Sequence, residues 1–155
     1  MNTRIFLLVL TLSAPALAQH QLPPGADAGQ FKPLVERKDV LSWKTLAEVE
    51  LVKMKDRYVP QFAQSVASLD QKEVKLQGFM MPLQVGDKQT HFVLSALPVT
   101  CSFCMPGGPE ALVEVKTRQA VKYSFDPIVV SGKLSVLKDD PQGVFYRMVD
   151  AVQAK

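Results

Sequence analysis

The sequence predicts a mainly β domain, a small antiparallel barrel with one short helix, and three observations carry that reading. From Glu73 onward, apolar and polar residues alternate with period two through most of the chain, as strands with one buried face require. The alternating segments are short and separated by turn chemistry at Val85-Gly86-Asp87-Lys88 and at Asp139-Asp140-Pro141-Gln142-Gly143. Gly78 and Gly132 interrupt strand patterns at points where a strand coils sharply, which fits a closed barrel better than a flat sandwich. Together they predict an OB-like barrel.

Taken in order, Ser42 is a fair N-cap for a short turn from which Trp43 and Leu46 point inward. Val49 and Leu51 then alternate with Glu48, Glu50 and Lys53, so residues 48–54 read as a first strand, with a helix as the rival reading. Pro60 suits the first turn of a helix, and Phe62, Val66 and Leu69 give that helix one apolar face, ending at Asp70 to Lys72. Val74, Leu76 and Gly78 share the face of the next strand. Its continuation, Phe79 to Leu83, is apolar throughout, as in a strand entering a closed core. The return strand runs from His91 to Leu97 and pairs antiparallel with it. Ala111 to Lys116, Ile128 to Leu137 and Val144 to Val152 supply the remaining strands.

The first residues speak about compartment. Arg4, the apolar run Ile5 to Leu12 and the small residues of Ala16-Leu17-Ala18 reproduce the three regions of a secretory signal peptide. The expected organisation is a signal over residues 1–18, a flexible leader over 19–41 and a barrel domain over 42–155, periplasmic or secreted after cleavage near Ala18. The apolar run is shorter than the ~20 residues that span a bilayer, so no membrane span is expected. His20 falls in the leader, where nothing nearby builds a site around it. A net charge of +3, interspersed rather than clustered, argues against nucleic acid or an anionic membrane as partner.

Chemistry concentrates at Cys101-Ser102-Phe103-Cys104-Met105-Pro106-Gly107-Gly108-Pro109, which holds both cysteines of the chain. Pro106, Gly107, Gly108 and Pro109 shape the loop, because no helix interior or central strand accommodates that run. Elsewhere the constellations are thin: neither histidine is placed beside a candidate nucleophile, and Asp139 and Asp140 sit in a solvated turn.

Gly78-Phe79-Met80-Met81-Pro82-Leu83, Phe92-Val93-Leu94, the cysteine-to-proline run, Val113-Glu114-Val115 and Gly143 to Tyr146 together resemble a family of exported bacterial proteins catalogued as domain of unknown function 3299. The likeness runs from about Trp43 to the C-terminus. It implies an exported domain of OB-like character, from gene neighbourhoods of ABC-type transporters and metal homeostasis, and supplies no reaction. One departure is Gln71, where the family pattern has glycine before Lys72.

Three readings of the cysteine pair stand open. A plain disulfide between Cys101 and Cys104 would close a four-residue loop and contribute about 2 kcal/mol in the chain-entropy model, shaping the loop rather than holding the domain together. A metal site would use the two thiolates for zinc or copper(I), with Met105 adding a soft thioether for copper(I) and Glu110, Asp126 or a second chain completing a zinc shell. A redox-active pair is the third, although thiol-disulfide oxidoreductases set the attacking cysteine at a helix N-terminus, and Pro106 to Pro109 oppose one here. His91 lies up to ~33 Å of extended chain from Cys101 and belongs to the other end of the sheet, as do Met80 and Met81, which read as core packing.

The resulting expectation is a non-enzymatic exported domain that handles zinc or copper(I) at Cys101, Cys104 and Met105, or docks a partner such as an envelope transporter component or a metal-handling protein. A thiol-disulfide oxidoreductase is the rival reading, and a structural module with a local disulfide the third.

Overall fold

The computed structural model describes residues 34–98 and 107–155. A short helix, α1 (Trp43–Leu46), leads into a hairpin of β1 (Val49–Met54) and β2 (Arg57–Phe62), then α2 (Gln64–Ala67). Five further strands follow: β3 (Glu73–Pro82), β4 (Lys88–Ser95), β5 (Leu112–Lys122), β6 (Ile128–Val136) and β7 (Tyr146–Ala154). These five close into a barrel in the order β3-β4-β5-β7-β6, with β6 returning to β3. The fold is therefore mainly β, with an OB-like barrel and a separate two-stranded sheet.

Closure depends on β3 serving two partners. Its first half pairs with β6 from Glu73↔Lys133 to Gly78↔Ile128, and its second half pairs with β4 from Phe79↔Ser95 to Pro82↔Phe92. Gly78 is the last residue of one ladder and Phe79 the first of the next. All neighbours are antiparallel except β5 and β7, which run parallel. The barrel is thus mainly antiparallel, as expected, and the parallel pair follows from closure: with five strands and four antiparallel neighbours, the fifth pair, β5 with β7, must run parallel.

The inward residues are those of the alternating pattern: Leu76, Phe92, Leu94, Val113, Val115, Val130, Leu134 and Met148 are buried, and Met80 joins them as packing. Tyr146 is buried with its hydroxyl donating to the Leu46 carbonyl at 2.5 Å, so its polar end is satisfied and ties α1 to the barrel. Gly132 faces a bulge. Ser131 pairs with Val152 but Lys133 with Val149, and a Cβ on Gly132 would stand 2.9 Å from the Ala151 Cα.

The helix predicted from Pro60 to Leu69 is corrected: Pro60 lies in β2, and only Gln64–Ala67 is helical. The Ala63 amide donates to the Glu48 carbonyl at 2.9 Å, which fixes the ladder so that Glu50/Gln61 and Val52/Val59 are the hydrogen-bonded pairs. Pro60, opposite Leu51, falls at a non-bonded position where its missing N–H costs nothing. Phe62, Val66 and Leu69 still reach the core, but from a strand, a helix and a turn respectively.

Ser42 caps α1 as expected, its Oγ accepting from the Lys44 amide at 3.2 Å. Ahead of it, the Leu41 amide donates to the Lys75 carbonyl at 2.8 Å and Leu41 packs against the core. Residues 1–33, the expected signal and most of the leader, lie outside the described residues.

Gln71 adopts φ 60°, a left-handed conformation that asks for glycine, and its amide donates to the Leu134 carbonyl at 2.7 Å. Gln71 thus holds a side chain where glycine would sit without strain. Gln71→Gly is expected to raise stability by up to about 1 kcal/mol, reduced by loss of the 3.1 Å side-chain bond to Ser135. Chemical denaturation of the two proteins measures it.

Candidate functional site

The cysteine loop springs from the barrel between β4 and β5. Cys101, Cys104, Met105 and Pro106 lie outside the described residues, whereas the stems on either side are described. On the ascending side Ser95 is fully buried, and its Oγ donates to the Leu97 carbonyl at 2.8 Å and accepts from the Leu97 amide at 3.1 Å. On the descending side Gly107 takes φ 89°, Gly108 is extended, and Pro109–Ala111 forms a single 3-10 turn. The Ala96 amide donates to the Ala111 carbonyl at 3.0 Å, pinning the two stems together.

Close packing lies beneath the stem. A Cβ on Gly78 would stand 2.7 Å from the Ser95 carbonyl oxygen, 2.8 Å from Leu94 and 3.2 Å from the Trp43 ring. Glycine is required there so that β3, the loop stem and the indole can approach one another. Trp43 is held by its own donor, the indole N–H bonding the Gln77 carbonyl at 2.8 Å. Beside this contact runs a groove of about 540 Å³ whose wall includes Leu34, Val35, Leu41, Trp43, Gln77 and Ala96.

The other residues singled out from sequence are spread. Glu110 is in the descending stem with its carboxylate over Gly108, near enough to Tyr146 to act with burial in raising that phenol's pKa. Asp126 is in the β5–β6 connection, separated from the stem along the chain by the whole of β5. His91 pairs with Lys116 four positions down β4 from Ser95, towards the β3–β4 turn. Among the described residues, no group of three or more His, Cys, Asp or Glu side chains is arranged to hold a metal ion.

A polar network escaped sequence reasoning. Glu114 points outward from β5 yet its side chain is only 10% exposed. Its carboxylate accepts from Arg147 Nε on β7 at 2.5 Å and contacts His91 Nε2 on β4 at 2.8 Å, with Lys116 Nζ at 3.7 Å. Arg147 continues to Asp140 at 3.3 Å, and Asp140 accepts from the Gln142 and Val144 amides, holding the β6–β7 loop against the barrel. Alternation within Val113-Glu114-Val115 marks Glu114 as outward, but only the β5–β7 pairing brings Arg147 opposite it. Burial pushes the Glu114 carboxyl up, and the bonds from Arg147 and His91 with the charges of Arg147 and Lys116 outweigh it, holding the group below its usual value.

The closed five-stranded barrel and the bonded stems between β4 and β5 define a class: an OB-like module. The chain belongs to the family described as protein of unknown function (DUF3299), whose model matches residues 20–151. A crystal structure of a DUF3299 family protein from Pseudomonas aeruginosa PAO1 is similar to it at 24% identity, covering 62% of this chain and 68% of that one with a TM-score of 0.49. No curated protein matches the chain.

Two measurements test this geometry. Gly78→Ala is expected to lower stability by about 1–3 kcal/mol, because the new methyl meets backbone as well as side chains; thermal unfolding reads the loss. The second is pH dependence. A carboxyl depressed on folding contributes stability above its unfolded pKa of ~4.3 and loses it as pH falls through the lower folded value. The stability difference between wild type and Glu114→Gln should therefore be largest near neutral pH and shrink in acid below about 4. Denaturant midpoints over that range would show it, and a constant difference would contradict the assignment.

Proposed function

We propose that this protein is an exported, non-enzymatic binding module in which the barrel holds a Cys-x-x-Cys loop that takes a soft metal ion, zinc or copper(I), in the service of an envelope transport system. The observation that carries the reading is the pinned stem: the Ala96–Ala111 bond and the Gly78–Ser95–Trp43 contact bring the two ends of a cysteine-bearing loop to one fixed place. A binding loop on a rigid scaffold loses less entropy on capturing its ligand than one on a mobile stem. Two thiolates are soft ligands suited to copper(I) and zinc, and Met105 beside Cys104 adds a thioether that favours copper(I).

The test uses reduced protein purified without chelators. Wild type is expected to bind one zinc or copper(I) ion, Cys101→Ser and Cys104→Ser to abolish binding with the fold intact, and Met105→Leu to weaken copper(I) selectively. Elemental analysis with competition titration reads all three. Reduced wild type that takes neither ion refutes the metal reading. A low-pKa thiol seen by pH-dependent alkylation, with disulfide exchange activity, would replace it with redox chemistry.

A further inference from the structure

The groove of about 540 Å³ beside the cysteine-loop stem is built almost wholly from one stretch of chain: apart from Gln77 and Ala96, every residue lining it belongs to the run from Leu34 to Lys44. That run is fastened at several points. Arg37 forks onto Asp39 at 2.9 and 2.7 Å and donates to the Lys155 backbone oxygen at 3.2 Å, while the Leu41 amide bonds the Lys75 carbonyl and the Trp43 indole the Gln77 carbonyl. Its apolar members are incompletely covered all the same: Leu34 and Trp43 are half-buried, and Val35 is 68% exposed. An open apolar groove on a secured frame calls for an occupant.

We propose that the occupant is the chain's own leader, with Phe31 entering the groove against Trp43. The chain joins the groove wall at Leu34, the first described residue, and Phe31 stands three positions ahead of it, within about 11 Å of fully extended chain. Phe31 is also the one Phe, Tyr or Trp between Gln19 and Pro33. The family's model matches from residue 20, so the leader is part of what the family shares and not a tail added to the barrel. A side chain on so short a tether is present at an effective concentration on the order of millimolar, which free molecules of equal affinity do not match at lower concentrations. Its ring can pack edge-to-face or offset on an indole, the arrangements that aromatic pairs favour. The leader is thereby held beside the base of the cysteine loop, and a partner that enters the groove must displace it.

Trp43 is the sole tryptophan of the chain, so its fluorescence reads the groove directly. In the protein beginning at Gln19, Phe31→Ala is expected to move the emission to longer wavelength and to raise acrylamide quenching about twofold, as loss of an aromatic ring from the indole requires. Phe31→Leu keeps an apolar side chain and should retain most of the protection, whereas Gln30→Ala and Phe103→Ala should change neither reading. Melting curves should show all four variants folded. An emission that Phe31→Ala leaves unmoved overturns the proposal. So does a shift produced by Phe103→Ala, which puts the cysteine loop in the groove, or an emission that varies with protein concentration, which puts a second copy there.

Discussion

The contact at Gly78 is the constraint on which the rest of the structure depends. There β3 leaves one partner strand for the other, and there the absent side chain admits both the Ser95 backbone and the Trp43 ring. β6 and β4 are attached to successive halves of this one strand, and the barrel closes through it. Because the same residue touches the base of the cysteine loop, barrel closure and placement of the loop are one structural fact.

A second layer of organisation is electrostatic. His91, Glu114, Arg147 and Asp140 form a chain of contacts across β4, β5, β7 and the β6–β7 loop, and the neighbouring Asp139 takes Arg57 of the hairpin. A largely buried carboxylate with two or more donors differs from a surface ion pair: removing one member strands the others in poor solvent. The network thus ties the barrel wall to the one loop that also holds the hairpin.

Much of this was legible in the sequence, for identifiable reasons. Alternation, with a continuous apolar run at Phe79 to Leu83, marked β3 through β7, and the glycines inside strand patterns proved to be a close approach at Gly78 and a bulge contact at Gly132. Pro60 misled because proline at a helix start and proline at a non-bonded strand position look alike without knowledge of the partner strand. The parallel β5–β7 pair and the Glu114–Arg147 contact were hidden for the same reason, since both arise from pairing distant in sequence. Buried Gln89 is a further case: its amide braces the β3–β4 turn by bonding Gln84 and Gly86, and nothing in its neighbours announces that a glutamine there is buried. The cysteine loop was recognisable from composition as the candidate for chemistry, and the turn in its descending stem from Gly107, Gly108 and Pro109.

The closing strand has a kinetic consequence. β7 is the last strand in the chain, and it alone bridges β5 to β6. A nascent or truncated chain lacking residues 146–154 can form the β3–β4 hairpin and the β4–β5 ladder, but it leaves β5 and β6 with bare edges and the inward faces of both open to water. Closure of the barrel therefore waits on the carboxyl-terminal strand, and until it docks those edges stay exposed.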